Sequence, residues 1–459
     1  MPTSISDAGT PDEVSRRGRI SWVLFEWGRN PSYTLISTFI YAPYFARDIV
    51  GDPVKGQAIW AEIQAYAGLM VAILAPVLAA IAEAGGPRKP WVAFFAALLA
   101  FSCFSLWWGM PNGAGLSLFA IGALIALNNF AYDSTIVFHG AMLSSLVLPA
   151  RVGRLSGLGY GMGNVATLLL LVFVLVFIAL PAQPWFGLDP ATHEQDRSVG
   201  PISAVWFVAF SIPFFLWTPD RPKSITSTGA MVRQGLTSLK GTLGNVAHYA
   251  NVARFLLARM IYNDGLNVML GFGGVYASGV FGWRIVETGL YGLIVIPFAA
   301  AGGYVGGYLA DRIGTKRALQ MSLSGTILAG FFSLGFTPKH VLFVFPYSEG
   351  RRIAPLPYFA TAPELLYIAT VCVAAFCLVA TYANGRTMVA RLAPEKRMTE
   401  FFGLYTMSGE ATAFMAPLAV SLATGLSGSQ QWGMAAILVF LLVGLTILSF
   451  VREERALPV

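Results

Sequence analysis

The chain has 459 residues, of which 56% are hydrophobic and only 12% charged, whereas a soluble globular domain carries about a quarter charged residues. No polar stretch between the hydrophobic runs is long enough to fold as a soluble domain. The net charge of +7 would suit nucleic-acid binding in a soluble protein, but the basic residues are scattered over short loops without a cluster, which sets that class aside.

Residues 1–19 are polar and hold no apolar run followed by a small-residue cleavage site, so they read as a tail rather than a signal peptide. A membrane-spanning helix needs about 20 mostly apolar residues, and twelve such runs follow: 20–46, 57–82, 91–109, 115–147, 155–180, 200–218, 252–281, 285–310, 318–336, 363–392, 398–425 and 431–451. With both termini cytoplasmic, 20 of the 30 lysines and arginines fall on cytoplasmic segments, Lys223 and Arg455 among them. Seven fall on outer segments, including Lys55 and Arg284, and three, Arg29, Arg259 and Arg386, lie within spans. Basic residues concentrate on the cytoplasmic side, and removing one span would invert every later loop and erase the bias. The expected fold is therefore an all-α membrane protein of twelve transmembrane helices in two six-helix halves. Its parts are a tail (1–19), an N-terminal half (20–218), a cytoplasmic linker (219–250), a C-terminal half (251–451) and a second tail (452–459).

Cys103, Cys372 and Cys377 sit in apolar stretches without CxxC spacing, which points to neither disulfides nor metal. The glycines at 157, 159, 161 and 163 lie in an apolar span rather than after a strand, so they mark close helix packing rather than a nucleotide loop. No Walker, HExxH or nucleophile-elbow motif occurs, so neither ATP drive nor an enzyme is indicated, and no cofactor is expected.

The division into halves predicts a repeat, and one is present. Residues 83–89 read EAGGPRK and residues 307–317 read GYLADRIGTKR; in both an acid is followed three positions later by glycine and then by a basic pair, at the same end of the second helix of each half. In the second copy Gly307 allows close helix approach, Asp311 is suited to accept hydrogen bonds at a neighbouring helix N-terminus, Gly314 permits a tight turn, and Lys316 and Arg317 hold the loop in the cytosol. This copy, with Arg312, resembles the signature loop of the major facilitator superfamily at nearly every position, which implies a latch on one conformation of two rocking halves. The first copy carries Glu83, Gly86, Arg88 and Lys89 but has Ala84 in place of the arginine, so a weaker latch is expected there.

The runs FEWGRN at 25–30, RLSGLGYGMG at 154–163, ARMIYNDG at 258–265 and EFFGLY at 400–405 resemble the vacuole-effluxer-like permease family. Fungal members of that family are implicated in amino-acid efflux from the vacuole. The resemblance implies a permease, with Glu26 standing where the family usually has aspartate and Arg29 where asparagine is expected.

Ionisable groups near the bilayer centre cost roughly 2.5–3.5 kcal/mol each on insertion scales and usually face a cavity or a partner. Glu26 and Arg29 fall on the first span, Asp133 on the fourth, Arg259 and Asp264 on the seventh, and Arg386 on the tenth, the spans that are equivalent in a three-plus-three repeat and that line the cavity in this superfamily. With Asn30, Asn129 and Asn263 they form the candidate substrate or proton cavity. Glu26, Arg29 and Asn30 share a helix face beside Pro31, which loosens the backbone, and a local distortion is expected near Asn263 and Asp264. Asp264 reads either as a proton or substrate-amine site or as half of an ion pair with Arg259, Arg386 or Arg29. Arg29 and Arg386 read either as a clamp on a substrate carboxylate or as neutralising partners. Glu410, on the eleventh span, and His139 are weaker candidates, His139 reading as a packing residue.

The expected function is secondary active transport of a small polar solute, an amino acid or other zwitterion favoured, by proton-coupled alternating access. The expected setting is a monomer in a lipid bilayer, the bacterial inner membrane, with no nucleic-acid partner. A transport-inactive sensor or assembly factor on the same fold is the alternative.

Overall fold

The structure is a computed structural model that describes residues 14–453 apart from 52, 112–113, 180, 182–183, 223–227, 245–248, 284, 354 and 356. Lys223, Arg284 and Arg455, the side chain of Lys55, and most of both expected tails lie outside the described residues.

Helices fill the chain. In order they are α1 (Arg16–Thr34), α2 (Pro53–Gly85), α3 (Lys89–Ser105), α4 (Leu118–Ala141), α5 (Val152–Val174), α6 (Val199–Trp217), α7 (Thr228–Gly244), α8 (Ala250–Phe281), α9 (Ile285–Ile313), α10 (Thr315–Ser333), α11 (Ala362–Leu392), α12 (Met398–Glu410), α13 (Met415–Ser427) and α14 (Gln430–Ser449). A two-residue antiparallel hairpin, β1 (His340–Val341) and β2 (Phe345–Pro346), sits in the loop before α11. Ser117 caps α4 by accepting from the Ala120 N–H, and a Thr361–Glu364 capping box starts α11; such caps satisfy backbone donors that a helix end leaves free.

Eight of the described helical stretches are long and apolar enough to cross a membrane. The four other expected spans are interrupted or polar. The first passes into a π-helical turn at Leu35–Phe39, four residues after Pro31; proline removes a backbone donor, and the ladder reforms with a wider turn. The seventh, α8, carries Arg254, Arg259, Asn263, Asp264 and Asn267, and the ninth, α10, is rich in Ser, Thr and Gly. The eleventh is split into α12 and α13 by turns at residues 411–414. The distortion expected near Asp264 is not found: α8 is one continuous helix. Its polar side chains are drawn to a neighbouring helix rather than to its own backbone, as described below.

The linker is not a plain loop either, since it contains α7. This helix lies on α2, with Gly235 so close that an added Cβ would stand 2.8 Å from the Ala80 backbone. The bundle's outer surface is apolar, with Phe101, Phe119 and Leu422 well exposed, as expected of side chains that face lipid rather than water.

The candidate cavity and its latches

Two seams join the halves at the end of the bundle where α1 begins and α14 ends. In one, α5 packs on α9 through glycines: a Cβ on Gly157 would meet the Gly303 carbonyl oxygen at 2.3 Å and the Gly307 Cα at 2.8 Å. In the other, α2 packs on α12, where a Cβ on Gly403 would meet that of Ala79 at 2.6 Å. Small residues of this kind let helix backbones touch.

Each seam is closed by one copy of the repeated acidic motif. Asp311, at the end of α9, accepts from the N–H groups of Gly153 (2.9 Å) and Arg154 (2.7 Å), the first turn of α5 in the other half. Arg391 also donates to it at 2.7 Å. Glu83, at the end of α2, accepts from the Thr399 N–H at 2.5 Å, the first turn of α12. A carboxylate at a helix N-terminus satisfies free donors and complements the helix dipole. In place of the arginine that the first copy lacks, Glu83 is met by other basic residues. Arg88, almost wholly buried, donates to the Thr399 hydroxyl (2.8 Å) and the Ala141 carbonyl (2.6 Å), while Arg221 pairs with Glu83 and donates to the Glu395 carbonyl at 2.9 Å. Burial pushes the Arg88 guanidinium down to about 10, with Glu83 opposing the shift, so it remains charged near neutral pH.

Gly86 (φ +90°) and Gly314 (φ +94°) occupy matching positions with left-handed backbone that a side chain would strain. Behind each stands an acid that the sequence reading missed. Asp220 accepts from the N–H groups of Arg88 (2.9 Å) and Lys89 (2.8 Å), and Glu453 accepts from those of Thr315 and Lys316, both at 2.8 Å. Both follow the last helix of a half, a position the repeat could have indicated. Arg312 lies 4.4 Å over the Tyr308 ring, and Arg317 is exposed to solvent.

Removing one latch acid should cost about 0.5–2 kcal/mol of the closed state, the range for a lost helix cap. Glu83→Ala is therefore expected to raise maleimide labelling of a cysteine placed at buried Leu404, next to Gly403 of the α2–α12 seam, by about 2- to 30-fold. An unchanged rate would show that the cap does not hold the seam.

Above the seams the candidate cavity residues separate into two groups. The first centres on Glu26, which is 3% exposed. Arg29 reaches it at 2.5 Å along α1, and Arg386 on α11 reaches it at 2.5 Å from the other half. Arg386 also donates to the Ser156 hydroxyl (3.0 Å) and carbonyl (2.7 Å) and lies over the rings of Tyr160 and Trp22. His139, expected only to pack, does stack on Trp22 at 4.3 Å, but its Nδ1 also lies 3.3 Å from the Glu26 carboxylate. Asn30 donates to Thr167 and accepts from Tyr132, and Asn129 donates to Gln64.

The second group lies on α4, α8 and α12. Arg259 donates to the Tyr405 carbonyl (2.6 Å) and Ser408 hydroxyl (3.0 Å) and lies 3.7 Å over the Tyr405 ring; Asn263 donates to the Gly409 carbonyl at 3.2 Å. These donors go to the last two turns of α12, toward the negative end of the helix dipole. Asp264 is 1% exposed, and its carboxyl faces the Thr412 hydroxyl rather than a guanidinium. Among the described residues no ion pair reaches Asp264, Asp133 or Glu410, so the alternative of an Asp264–arginine pair is not what the structure contains. Three residues beyond Asp264, Asn267 accepts from the Tyr382 hydroxyl at 2.6 Å.

Two helical halves, packed through glycine and joined at both seams by a repeated acidic motif, have the architecture of the major facilitator fold. The sequence profile of the family described as "Vacuole effluxer Atg22 like" matches residues 48–458, and the chain belongs to that family. It is 24% identical to the uncharacterized MFS-type transporter YxiO of Bacillus subtilis (strain 168), over 96% of both chains. It is 23% identical to autophagy-related protein 22 of Cryptococcus neoformans var. neoformans serotype D (strain B-3501A), over 67% of this chain and 54% of that protein; the match thus spans about half of the fungal relative. The solved major facilitator transporter FucP, in its outward conformation, shares the fold with a TM-score of 0.68, at 11% identity over 95% of this chain and 99% of that one. The chain is thus a multi-pass membrane transporter acting on a small molecule.

Proposed function

We propose that the chain is a monomeric secondary transporter that moves a small polar solute, an amino acid or other zwitterion favoured, across a bacterial inner membrane with both termini in the cytoplasm. Movement is by alternating access, coupled to protons. In this reading the repeated loops are the cytoplasmic latches, and the solute and proton cavity is built from Glu26, Arg29, Asn30, Asn129, Asp133, Arg259, Asn263, Asp264 and Arg386. The observation that carries it is the presence of both charge signs in the bundle interior: guanidiniums at Arg29 and Arg386 for a carboxylate, and an acid at Asp264, with no ion pair among the described residues, for an ammonium or a proton. Such groups are costly in a membrane interior and are characteristic of substrate and ion paths. The name "Vacuole effluxer" carried by the family is compatible with this reading.

Counterflow tests it. Proteoliposomes loaded with a mixture of unlabelled amino acids should accumulate labelled amino acids saturably, and Asp264→Asn should remove the dependence of net uptake on an imposed proton gradient. Absence of any saturable exchange would favour a transport-inactive sensor. Wild-type proton dependence in Asp264→Asn would end that residue's coupling role.

A further inference from the structure

We infer that the tip of the β1–β2 hairpin, residues 342–345, is an interfacial anchor: it enters the bilayer leaflet opposite the latches, while Lys339, Arg351 and Arg352 at its base meet anionic lipid headgroups. The anchor is independent of which solute the chain moves.

The hairpin's depth follows from α10. That helix starts beside Gly314 at the latch end, and its 19 residues rise roughly 28 Å at about 1.5 Å each, close to the hydrocarbon thickness of a bilayer. Its far end therefore reaches the opposite edge of the hydrocarbon. The chain then returns along α11, whose Arg391 meets Asp311 back at the latches. Met321, Leu328, Phe331 and Phe332 are exposed on α10, and their spacing puts them on one helix face, part of the apolar surface that the bundle turns to lipid.

The hairpin folds back onto this face. The Phe343 N–H donates to the Gly335 carbonyl at 2.9 Å, and the Phe343 ring lies 5.3 Å from that of Phe331. A Cβ on Gly335 would meet the Phe343 ring at 2.8 Å and the Leu342 Cα at 3.1 Å. Contact with Phe331, in the last turn of α10, sets the tip toward the hydrocarbon rather than out in water. Even so the tip is open: Val344 is 74% and Phe345 63% exposed, and Leu342 and Phe343 are exposed as well. Four successive apolar side chains, continuous with a lipid-facing helix, form a patch that water disfavours.

The turn is also unfavourable for the residues it carries. Leu342 (φ +51°) and Phe343 (φ +66°) stand in succession in the left-handed region, which hairpin turns normally fill with Asn and Gly. Folding alone favours those small residues; moving two large apolar side chains from water into the acyl boundary is a gain that offsets the strain.

The base of the hairpin is basic. The Tyr347 N–H donates to the Lys339 carbonyl at 2.8 Å, and the Tyr347 hydroxyl donates to the Arg351 carbonyl at 2.5 Å, which brings both residues to the base, with Arg352 next in the chain. All three are exposed, and Glu349, 3.8 Å from Lys339, is the one acid of the segment 337–361. Apolar side chains flanked by lysine and arginine are the combination that holds a segment to an anionic leaflet, buried by about 5–10 Å.

The test places an environment-sensitive fluorophore on Val344→Cys in a cysteine-free full-length chain, in nanodiscs of phosphatidylcholine with or without phosphatidylglycerol. Leu328→Cys on the lipid-facing side of α10 and Arg317→Cys in the exposed latch loop serve as references. The Val344 label should be quenched by a nitroxide on a shallow acyl carbon of the disc lipids and shielded from aqueous iodide, as at Leu328. Phosphatidylglycerol should strengthen the acyl-chain quenching, and Lys339→Gln, Arg351→Gln and Arg352→Gln together should abolish that gain. Leu342→Asn with Phe343→Gly, which suits the turn better, should turn the label toward iodide without lowering Tm. Iodide quenching at Val344 equal to that at Arg317 in both lipids would overturn the anchor. So would shielding confined to discs that hold two copies, which would assign the tip to a second copy of the chain, or shielding that persists in the Leu342→Asn, Phe343→Gly variant. Shielding that ignores phosphatidylglycerol would overturn the role of the basic residues.

Discussion

Glu26→Gln should be the most destabilising single conservative change in the bundle interior. The substitution leaves Arg29 and Arg386, 2% and 1% exposed, as two guanidiniums facing each other with no anion between them. Removing one partner of a buried charge pair costs about 3–5 kcal/mol, because the remaining charge stays desolvated. Here two charges lose the same partner. Arg386→Met should cost less, since Arg29 still neutralises Glu26 along α1. The double variant Glu26→Gln, Arg386→Met should be more stable than Glu26→Gln alone, a non-additivity expected of groups that share one network. Thermal unfolding of the purified variants measures all three; equal stability of Glu26→Gln and the unaltered protein would show that the carboxylate does not hold the cross-half tie.

Much of the architecture is legible in the sequence because its causes are local. Span length follows from apolar runs, and the latch positions from an acid, a glycine and two basic residues repeated 228 positions apart. The charged residues of the interior were legible too, since lysine, arginine and carboxylates stand out in apolar runs. What the sequence could not show is how those charges divide. Whether Asp264 meets Arg259 depends on which way the guanidinium turns, and it turns to the Tyr405 carbonyl of α12, 146 positions away along the chain. The break after Glu410 is flagged only by Gly409 before it and Pro417 in the first turn of α13, signals that the apolar run around residues 411–414 masks. Ser156 was hidden inside a glycine run that reads as packing alone, yet it receives two hydrogen bonds from Arg386. Asp220 and Glu453 lay outside the spans, where acids attract little notice.

The second large effect belongs to Gly307. An added methyl there would stand 2.2 Å from the Gly153 carbonyl oxygen and 2.7 Å from the Gly157 Cα, where ordinary contact begins at 3.4 Å. Backbone atoms have no rotamer to change, so Gly307→Ala must push α5 and α9 apart. The same shift stretches the bonds from Asp311 to the first turn of α5. Overpacking of this kind costs about 1–3 kcal/mol. Because the cost falls only on the state in which the seam is closed, it should shift the balance between states by about 5- to 150-fold without unfolding either half.

Alternating access requires two halves that close at the latch end and reopen there. Spin labels at Arg154 and Arg312, both exposed and on opposite sides of the α5–α9 seam, with pulsed EPR distances read in a cysteine-free background, test this directly. The expected result is a distribution dominated by a short distance in the otherwise unaltered protein and by a longer one in Gly307→Ala. A single short distance in both, with Gly307→Ala folded, would contradict a seam that opens.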